Sequence, residues 1–569
     1  MTTKTHFEDI HIRIIENLKT ATFSIDVAMA WFTDGDIYKV LCQKAREGIS
    51  VRLVLLDDET NRPPKNKLKF EELTDLGGNV FWFPSSEKRN PMHLKLCVID
   101  NNKAINGSYN WTWAARENHE SITIFDEPRE VEQFQNKFKI IWTLYDAWFD
   151  DLTAWAEKNR ISGEKLPRDK QVIMQICSLD LSKNKITELP EFIGKMTNLT
   201  ELNLSNNQLT EVPEFIGRMT NLKELNLSNN QLTEVPEFIG NLTNLWILAL
   251  SGNKPTEIPE SLGKLTNLYD LHLSGNELTE IPEFIGRLTK LEMLDLSSNH
   301  LTEIPEFIGR LTKLKWLELG YNHLTKIPEI IGNLTNLDWL DWSANQLTEL
   351  PEFIGKLTNL KTLYLGDAEE LPYENNQLAE VPQSIGKLTN LTRLDLSGNQ
   401  FTEVPQSIGK LTNLESLNLS NNGIMRLPEF ICNLTNLESL NLSANQLIEV
   451  PESIGDLTNL TFLRLGKHEW ITNEYGGNQL TKVPQSIGKL TNLTSLNLGG
   501  NKLTKVPQPI GNLTNLTELN LRENQLTELP EFINKLTNLT DLDLSHNQLT
   551  EVPKVISKRT YVDLTGNPI

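Results

Sequence analysis

The stretch LTELNLSNNQLTEVPEFIGRMTN, residues 199–221, recurs with small changes every 23 residues along most of this 569-residue chain. Each copy keeps leucine, asparagine, proline and isoleucine at fixed positions, in the order L-x-x-L-x-L-x-x-N-x-L-T-x-x-P-x-x-I-G. A fixed period of this length indicates one structural unit per copy, with neighbouring copies burying a shared apolar core. The pattern starts near Leu179 and runs to Asn567.

The pattern is identified as a leucine-rich repeat, which implies an α/β solenoid, a horseshoe of parallel strands with a concave face. We place this domain at residues 177–569, with about sixteen repeats. Two insertions break the period just after a strand, near 366–375 and 466–477. Both are expected on one rim of the solenoid, where long loops commonly carry recognition, although simple repeat drift is the alternative.

The variable positions around the repeat leucines are mostly Thr, Glu, Asn, Asp or Ser, but repeats four to nine carry large side chains instead. Exposed aromatic patches mark binding surfaces, so we expect a protein ligand on this concave face. The candidate partner-binding residues are Trp246, Tyr269, His272, Trp316, Trp339 and Tyr364, with Ile247 and Met293 beside them. Trp342 falls at a leucine position and is expected in the core.

Residues 1–160 lack the repeat and alternate apolar strand-like runs with helical patterns. Strands are predicted at 22–33, 49–58 and 79–84, and a long amphipathic helix at 127–159. This alternation predicts an α/β layered domain. Residues 161–176, within a Gly-, Pro- and charge-containing stretch, are interpreted as a linker or cap.

The segment MHLKLCVIDNNKAINGSYN, residues 92–110, concentrates groups that suit phosphate chemistry. His93 and Lys95 lie two apart on a predicted strand and therefore share one face. Gly107 permits a tight turn, after which Ser108 and Asn110 offer donors that could reach the same point. A histidine nucleophile with nearby cationic and amide donors suits attack on phosphorus.

Written as H-x-K-x4-D-x6-G-S-x-N, this segment resembles the signature of the phospholipase D superfamily, with every position filled. The resemblance implies a covalent phosphohistidine on His93, phosphoryl binding by Lys95 and Asn110, and support from Ser108. It also implies a structural or orienting role for Asp100. A later Asn-x-Glu segment, ending in Glu120, matches the family carboxylate that orients the nucleophilic histidine.

Two histidines are needed, one to attack and one to protonate the leaving oxygen, but only one H-x-K occurs among the nine histidines. The nearest match, HIR at residues 11–13, lacks the rest of the signature. Single-motif members of the superfamily pair two chains, so the resemblance implies a homodimer through the N-terminal domain. A metal site using His93, Asp100, His119 and Glu120 is the competing interpretation, and Lys95 argues against it. We expect no metal and no cofactor.

The substrate is expected to be nucleic acid rather than phospholipid, because the locally basic stretches at 62–70 and 85–95 suit a phosphate backbone. A solvated loop is the alternative for these short runs. The sequence thus predicts a metal-independent phosphodiesterase, most simply an endonuclease, joined to a sensor of protein ligands, with a defence role by analogy. The alternatives are a phospholipase D-type lipid hydrolase and a non-catalytic dimeric scaffold.

The formal charge of −21 lies mainly on the repeats, since residues 1–160 hold 21 Lys and Arg against 25 Asp and Glu, and the remainder 33 against 50. Such a surface repels nucleic acid and anionic membranes. The four cysteines are far apart in sequence, which indicates a reducing compartment without disulfides. The chain start lacks an apolar signal and no run is long enough to span a membrane, so we expect a cytoplasmic protein without stable membrane insertion.

Overall fold

The computed structural model describes residues 3–57, 60–61, 65–84, 95–112, 114–117, 120–167, 173, 176–366, 375–467, 477–551 and 560–569. The chain divides into two compact units. The first extends to Ser162, and the second joins Gly163–Pro167 to the repeats that end at Ile569. The predicted fold class, an α/β domain followed by a parallel-strand repeat domain, is confirmed.

The N-terminal unit is built on one mixed sheet with the strand order β1-β7-β6-β5-β2-β3-β4. Strands β2 to β4 are parallel, whereas β5, β6, β7 and β1 join in antiparallel pairs. The strands are β1 (Lys4–His6), β2 (Ser24–Met29), β3 (Ser50–Asp57), β4 (Asn79–Pro84), β5 (Lys95–Ile99), β6 (Lys103–Gly107) and β7 (Ile122–Phe125). The helices are α1 (Ile10–Lys19), α2 (Gly35–Arg46), α3 (Phe70–Asp75) and α4 (Pro128–Lys158), with a 3₁₀ turn at Ala114–Glu117.

Alternation along the central strand β2 assigns its side chains to the two faces of the sheet. Ile25, Val27 and Met29 belong to the main apolar core, which also includes residues of α1, α2 and α3. On the other face the buried Asp26 pairs with Arg52 at 2.7 Å, and the Arg52 guanidinium lies 5.0 Å from the ring centroid of Phe138 in α4. The sheet is therefore covered by helices on both faces.

The second unit is one parallel sheet of three-residue strands, each pairing with the next along the chain. Strands β8 to β16 are Ser178–Asp180, Glu201–Asn203, Glu224–Asn226, Ile247–Ala249, Asp270–His272, Met293–Asp295, Trp316–Glu318, Trp339–Asp341 and Thr362–Tyr364. Strands β17 to β24 are Arg393–Asp395, Ser416–Asn418, Ser439–Asn441, Phe462–Arg464, Ser495–Asn497, Glu518–Asn520, Asp541–Asp543 and Tyr561–Asp563. Five-residue 3₁₀ turns, the first at Glu191–Lys195 and the last at Glu531–Lys535, form the opposite side of the repeats.

The repeat asparagine joins successive turns of the solenoid. The Nδ2 of fully buried Asn322 donates to Leu296 O at 3.0 Å and to Leu319 O at 3.1 Å. Its Oδ1 accepts from Leu301 N at 3.0 Å. These bonds satisfy buried backbone groups that the short strands leave unpaired.

The insertions fall largely on residues 367–374 and 468–476, outside the described residues. Strand pairing continues across both, since Thr362 pairs with Arg393 and Phe462 pairs with Ser495. The register of the sheet is therefore the same on both sides of each insertion.

The aromatic residues of the middle repeats form two groups instead of one continuous stripe. Trp246 and Tyr269 precede their strands by one residue and are 46% and 40% exposed, with ring centroids 6.5 Å apart. Trp316 and Trp339 lie one position later, as the first residues of β14 and β15. The predicted core position of Trp342 is confirmed, because this residue is fully buried.

Candidate active site

Strand register gathers four of the predicted site residues at one end of the sheet. Lys95 begins β5 and pairs with Met29, the last residue of β2. Because β6 runs antiparallel to β5, its final residue Gly107 reaches the same end, and Ser108 and Asn110 follow it. Glu120 precedes β7, whose first residue pairs with Gly107. His93 lies outside the described residues.

Gly107 and Ser108 close this end of the sheet against β7. A Cβ on Gly107 would collide with Ser121 O and with Ile122 Cα, so only glycine permits this approach. The Ser108 amide donates to Ser121 O at 3.0 Å, and the Ser108 hydroxyl oxygen accepts from Ser121 N at 3.1 Å. The hydroxyl is thereby fixed through its oxygen, and its proton remains available for donation to a ligand.

Asn110 is held between two buried aromatic residues. Tyr109 and Trp111 are each 2% exposed, and the Trp111 carbonyl accepts from the amides of Thr33 and Asp34 at 2.8 and 3.0 Å. Asn110 itself is half-buried, and its Oδ1 accepts no hydrogen bond from any described residue. A buried amide group without a partner is uncommon and suits a position that meets a ligand.

Asp100 lies at the opposite end of the sheet, where the chain leaves β5. One carboxylate oxygen accepts from Phe23 N at 2.7 Å and Ser24 N at 2.8 Å, and the other accepts from Thr22 N at 2.8 Å and from the Thr22 hydroxyl. Burial alone would raise the pKa of this carboxyl, but the three backbone N–H groups outweigh burial and lower it. Asp100 thus anchors the start of β2, and it cannot share a metal with Glu120.

A charged network next to this segment was not predicted from the sequence. The fully buried Asp34 accepts from Arg116 Nε at 2.8 Å and Nη2 at 2.6 Å, and its Oδ2 lies 3.1 Å from His11 Nδ1. Arg116 Nη2 also donates to Asp36 at 3.0 Å, and this bond is the main cause of the lowered pKa of Asp36. No local sequence pattern could predict this network, because Arg116 is about eighty residues from the two aspartates in the chain.

Within the part of the chain that the structure describes, one group has the spacing of metal ligands, and it consists of His11, Asp34 and Asp36. The Arg116 guanidinium already donates to both aspartates, so a divalent cation would have to displace it. The network suits a structural role instead. It holds the 3₁₀ turn after Asn110 against α1 and α2.

Burial raises the pKa of Tyr109 to about 12, with further contributions from Asp34 and Glu120. The Tyr109 hydroxyl is therefore neutral at physiological pH. It lies directly beside Asn110 in the chain and carries no charge that would oppose an anionic ligand.

The family model for "Cardiolipin synthase, PLD-like domain" matches residues 14–142. Two mitochondrial cardiolipin hydrolases are similar to this region, with 28% identity over 134 residues in Chlamydomonas reinhardtii and 29% over 135 residues in Danio rerio. These alignments cover 23% and 24% of this chain, which spans only 57% of each relative.

Leucine-rich-repeat family models match much of the second unit, at residues 175–232, 214–304, 305–379, 370–424, 412–459, 476–526 and 491–549. The solved structure of a leucine-rich-repeat protein from Leptospira interrogans is 34% identical, with a TM-score of 0.60, and the match covers 69% of this chain and 98% of that protein. The chain therefore belongs to the leucine-rich-repeat proteins, and its N-terminal unit is a phospholipase D-like domain.

Proposed function

We propose that the N-terminal unit is a metal-independent phosphodiesterase that acts through a phosphohistidine on His93. The observation that carries the proposal is the convergence of Lys95, Ser108, Asn110 and Glu120 at one end of the sheet, on the chain segments that adjoin His93 and His119. Lys95 and Asn110 would hold the non-bridging phosphoryl oxygens as charge develops, and Ser108 would add a hydroxyl donor. Glu120 would orient the nucleophilic imidazole.

Since one chain supplies one copy of the signature, the reaction needs a second histidine from a second chain. We propose a homodimer in which the two His93 residues share one site. Two adjacent imidazoles do not both carry charge readily, which leaves one neutral as nucleophile and the other protonated as general acid. The attacking histidine forms the bond to phosphorus, and the protonated one transfers its proton to the leaving oxygen.

A nucleic acid is the proposed substrate, because exposed lysines alternate with anchored residues just before α3. Lys65, Lys67 and Lys69 are exposed, whereas Asn66 between them is buried and donates to Phe32 O at 2.7 Å. Phe32 in turn forms an isolated β-bridge with Trp111. The three lysines therefore lie near the segment that carries Asn110. A row of ammonium groups suits a phosphate backbone.

A phospholipid is the second candidate substrate, and the names of the two cardiolipin hydrolases favour it. Those names also place the relatives in mitochondria. Among the described helices, none combines the length and apolar character needed to cross a bilayer. The repeats would recognise a protein, and a defence role for such a sensor joined to a hydrolase rests on analogy alone.

The test is cleavage of single-stranded DNA, single-stranded RNA, duplex DNA and cardiolipin vesicles by the purified chain, with and without EDTA. We expect nucleic-acid cleavage that persists in EDTA and is abolished in His93→Ala. Lys95→Ala and Asn110→Ala should each lose about a hundredfold, because each removes a donor to developing charge. Lys103→Ala is the matched control, since Lys103 lies on the same hairpin at the opposite end of the sheet.

Cleavage of cardiolipin alone would favour the lipid candidate. Activity that is lost in EDTA and restored by a divalent ion would contradict the metal-independent mechanism. A folded wild-type chain inactive on all four substrates would favour the scaffold interpretation.

A further inference from the structure

Two indole rings form a face-to-face stack in the middle of the repeat sheet. We use "open face" for the first and third residues of each strand, which flank the buried leucine. On this face the rings of Trp316 and Trp339 stack with centroids 4.1 Å apart and planes 9° apart. The ring of Tyr364 meets Trp339 edge-on at 5.2 Å, and Trp316 Nε1 donates to Glu318 Oε1 at 2.7 Å. All three rings are half-buried.

A row of carboxylates runs beside these rings, at the third residue of neighbouring strands. Asp295 pairs in register with Glu318 and Glu318 with Asp341, while Asp395 lies two strands beyond Asp341, next to Tyr364. Adjacent strands lie about 5 Å apart, so these acids are close neighbours of like charge. Among the described residues, none of the four forms an ion pair.

Ionising all the carboxyl groups of this row costs free energy. Burial raises the pKa of Glu318, Asp341 and Asp395, and the neighbouring carboxylates raise each of them further. Among the strand residues of the open face, the basic side chains nearest to this row are His272 on β12 and Arg393 on β17, at its two ends. A cation brought by a ligand would relieve the repulsion in the middle of the row.

A cation–π contact of the kind that such a ligand would make is present beside the same sheet, next to β11. Lys223 Nζ lies 4.8 Å from the ring centroid of Trp246, a cation–π arrangement within the chain. In the Trp316–Trp339 stack, the face of Trp316 turned away from Trp339 is an indole surface of the same kind, with carboxylates beside it to accept hydrogen bonds from the cation.

We propose that the open face of β13 to β17 binds a basic segment of a partner protein, whose arginine or lysine side chains lie against the Trp316–Trp339 stack and pair with Glu318, Asp341 and Asp395. Charge complementarity decides the occupant. The segment after residue 160 carries 50 acidic against 33 basic residues, so the surface would repel an acidic peptide, a nucleic acid or an anionic membrane. The inference rests on the proposed recognition role of the repeats and is independent of the reaction in the first unit.

Residues at equivalent positions of other repeats indicate which substitutions remove a charge or a ring while keeping the local hydrogen bonds. Asp341 and Asp395 accept a bond from the serine amide two residues later, and Asn418 and Asn441 make the same bond at the equivalent positions. Asp341→Asn and Asp395→Asn should therefore keep that bond while losing the charge. Likewise, Trp316→Ser and Trp339→Ser reproduce the serines that begin β18 and β19.

The experiment measures fluorescence anisotropy of labelled 12-residue Gly-Ser peptides carrying four Arg, four Gln or four Glu, mixed with the full chain. We expect the Arg peptide to bind, and the Asp341→Asn, Asp395→Asn double variant to weaken it by more than tenfold. The Trp316→Ser, Trp339→Ser double variant should weaken it similarly. Asp543→Asn, at the same strand position on β23 and with the same serine bond, should change affinity less than twofold.

Equal binding of the Gln peptide would overturn the cationic chemistry while leaving a recognition role for the repeats. An equal loss in Asp543→Asn would also overturn the proposal, because attraction would then come from acidic charge in general. If no peptide binds, both the basic partner and the open face as its site are rejected. Cleavage assays on the same samples report the proposed reaction separately.

Discussion

At the scale of single residues, the signature separates into groups at the candidate active site and a group that holds the strand. Lys95 and Asn110 lie at one end of the β5–β6 hairpin. Asp100, at the other end, is fully engaged with the backbone of residues 22–24. All three residues match the signature equally well, but they do not share one chemical role. Only the register of the hairpin separates Lys95 and Asn110 from Asp100.

Asp100→Asn should lower the free energy of unfolding by about 2 kcal/mol at pH 7, because it weakens charge-assisted bonds to three backbone N–H groups. The pKa of Asp100 is lowered in the folded state, so its contribution is present above its ordinary pKa near 4 and is lost as pH falls through the folded value. Urea unfolding of wild type and variant between pH 3 and 7 should thus converge in acid. Asp75→Asn, exposed at the end of α3, is the control, and a pH-independent difference would contradict this account.

The role of Lys95, Ser108 and Asn110 in phosphate chemistry stays a prediction. The sequence was sufficient to group these residues, and strand register places them at one end of the sheet. It was not sufficient for the network of His11, Asp34, Asp36 and Arg116. Asp34 was visible as the acidic start of a helix, and its side chain does accept from the amides of Asp36 and Ile37. Its pairing with Arg116 depends on tertiary packing that no local pattern encodes.

At the scale of elements, the long regular patterns were predicted and several short elements were missed, among them α1 and β6. Ile10, Ile14 and Leu18 show the spacing of a buried helix face, although α1 was not among the predicted elements. The strand predicted within residues 92–110 is present as β5, but the chain then turns back to form β6, and this hairpin was not predicted. Its signal was the Asp-Asn pair at 100–101, whose positive φ angles of 51° and 55° suit a tight hairpin turn.

Gly107→Ala should disrupt the pairing of β6 with β7, because the added methyl meets backbone atoms of Ser121 and Ile122 that cannot move independently. We expect a loss of about 2 kcal/mol of stability and a larger loss of cleavage, since Ser108 and Asn110 shift with the strand end. Gly35→Ala is the matched control, because its Cβ would meet only Leu68 at 3.8 Å. Melting temperature and cleavage rate are measured on both, and an active Gly107→Ala protein of wild-type stability would refute the close packing.

At the scale of the whole molecule, the repeat period determines which residues can act together. The exact spacing of 23 places Trp316 and Trp339 on one column of the sheet and Trp246 and Tyr269 on another, so the sequence contained the information that separates them. The row of carboxylates was not predicted, because each of its members, taken alone, is an ordinary polar residue of the repeat. The closeness of these like charges becomes apparent only when residues at the same position of neighbouring strands are compared.

The proposed homodimeric site makes a quantitative prediction for mixed chains. If each site needs His93 from two subunits, a dimer that contains one His93→Ala chain is inactive, and activity varies as the square of the wild-type fraction. An equal mixture, coexpressed so that chains pair at random, should retain about a quarter of the activity, whereas independent subunits would retain about half. Mixing wild type with Lys103→Ala tests whether coexpression itself lowers activity. A linear dependence on wild-type fraction, with sedimentation showing dimers, would mean that the second histidine comes from within the same chain.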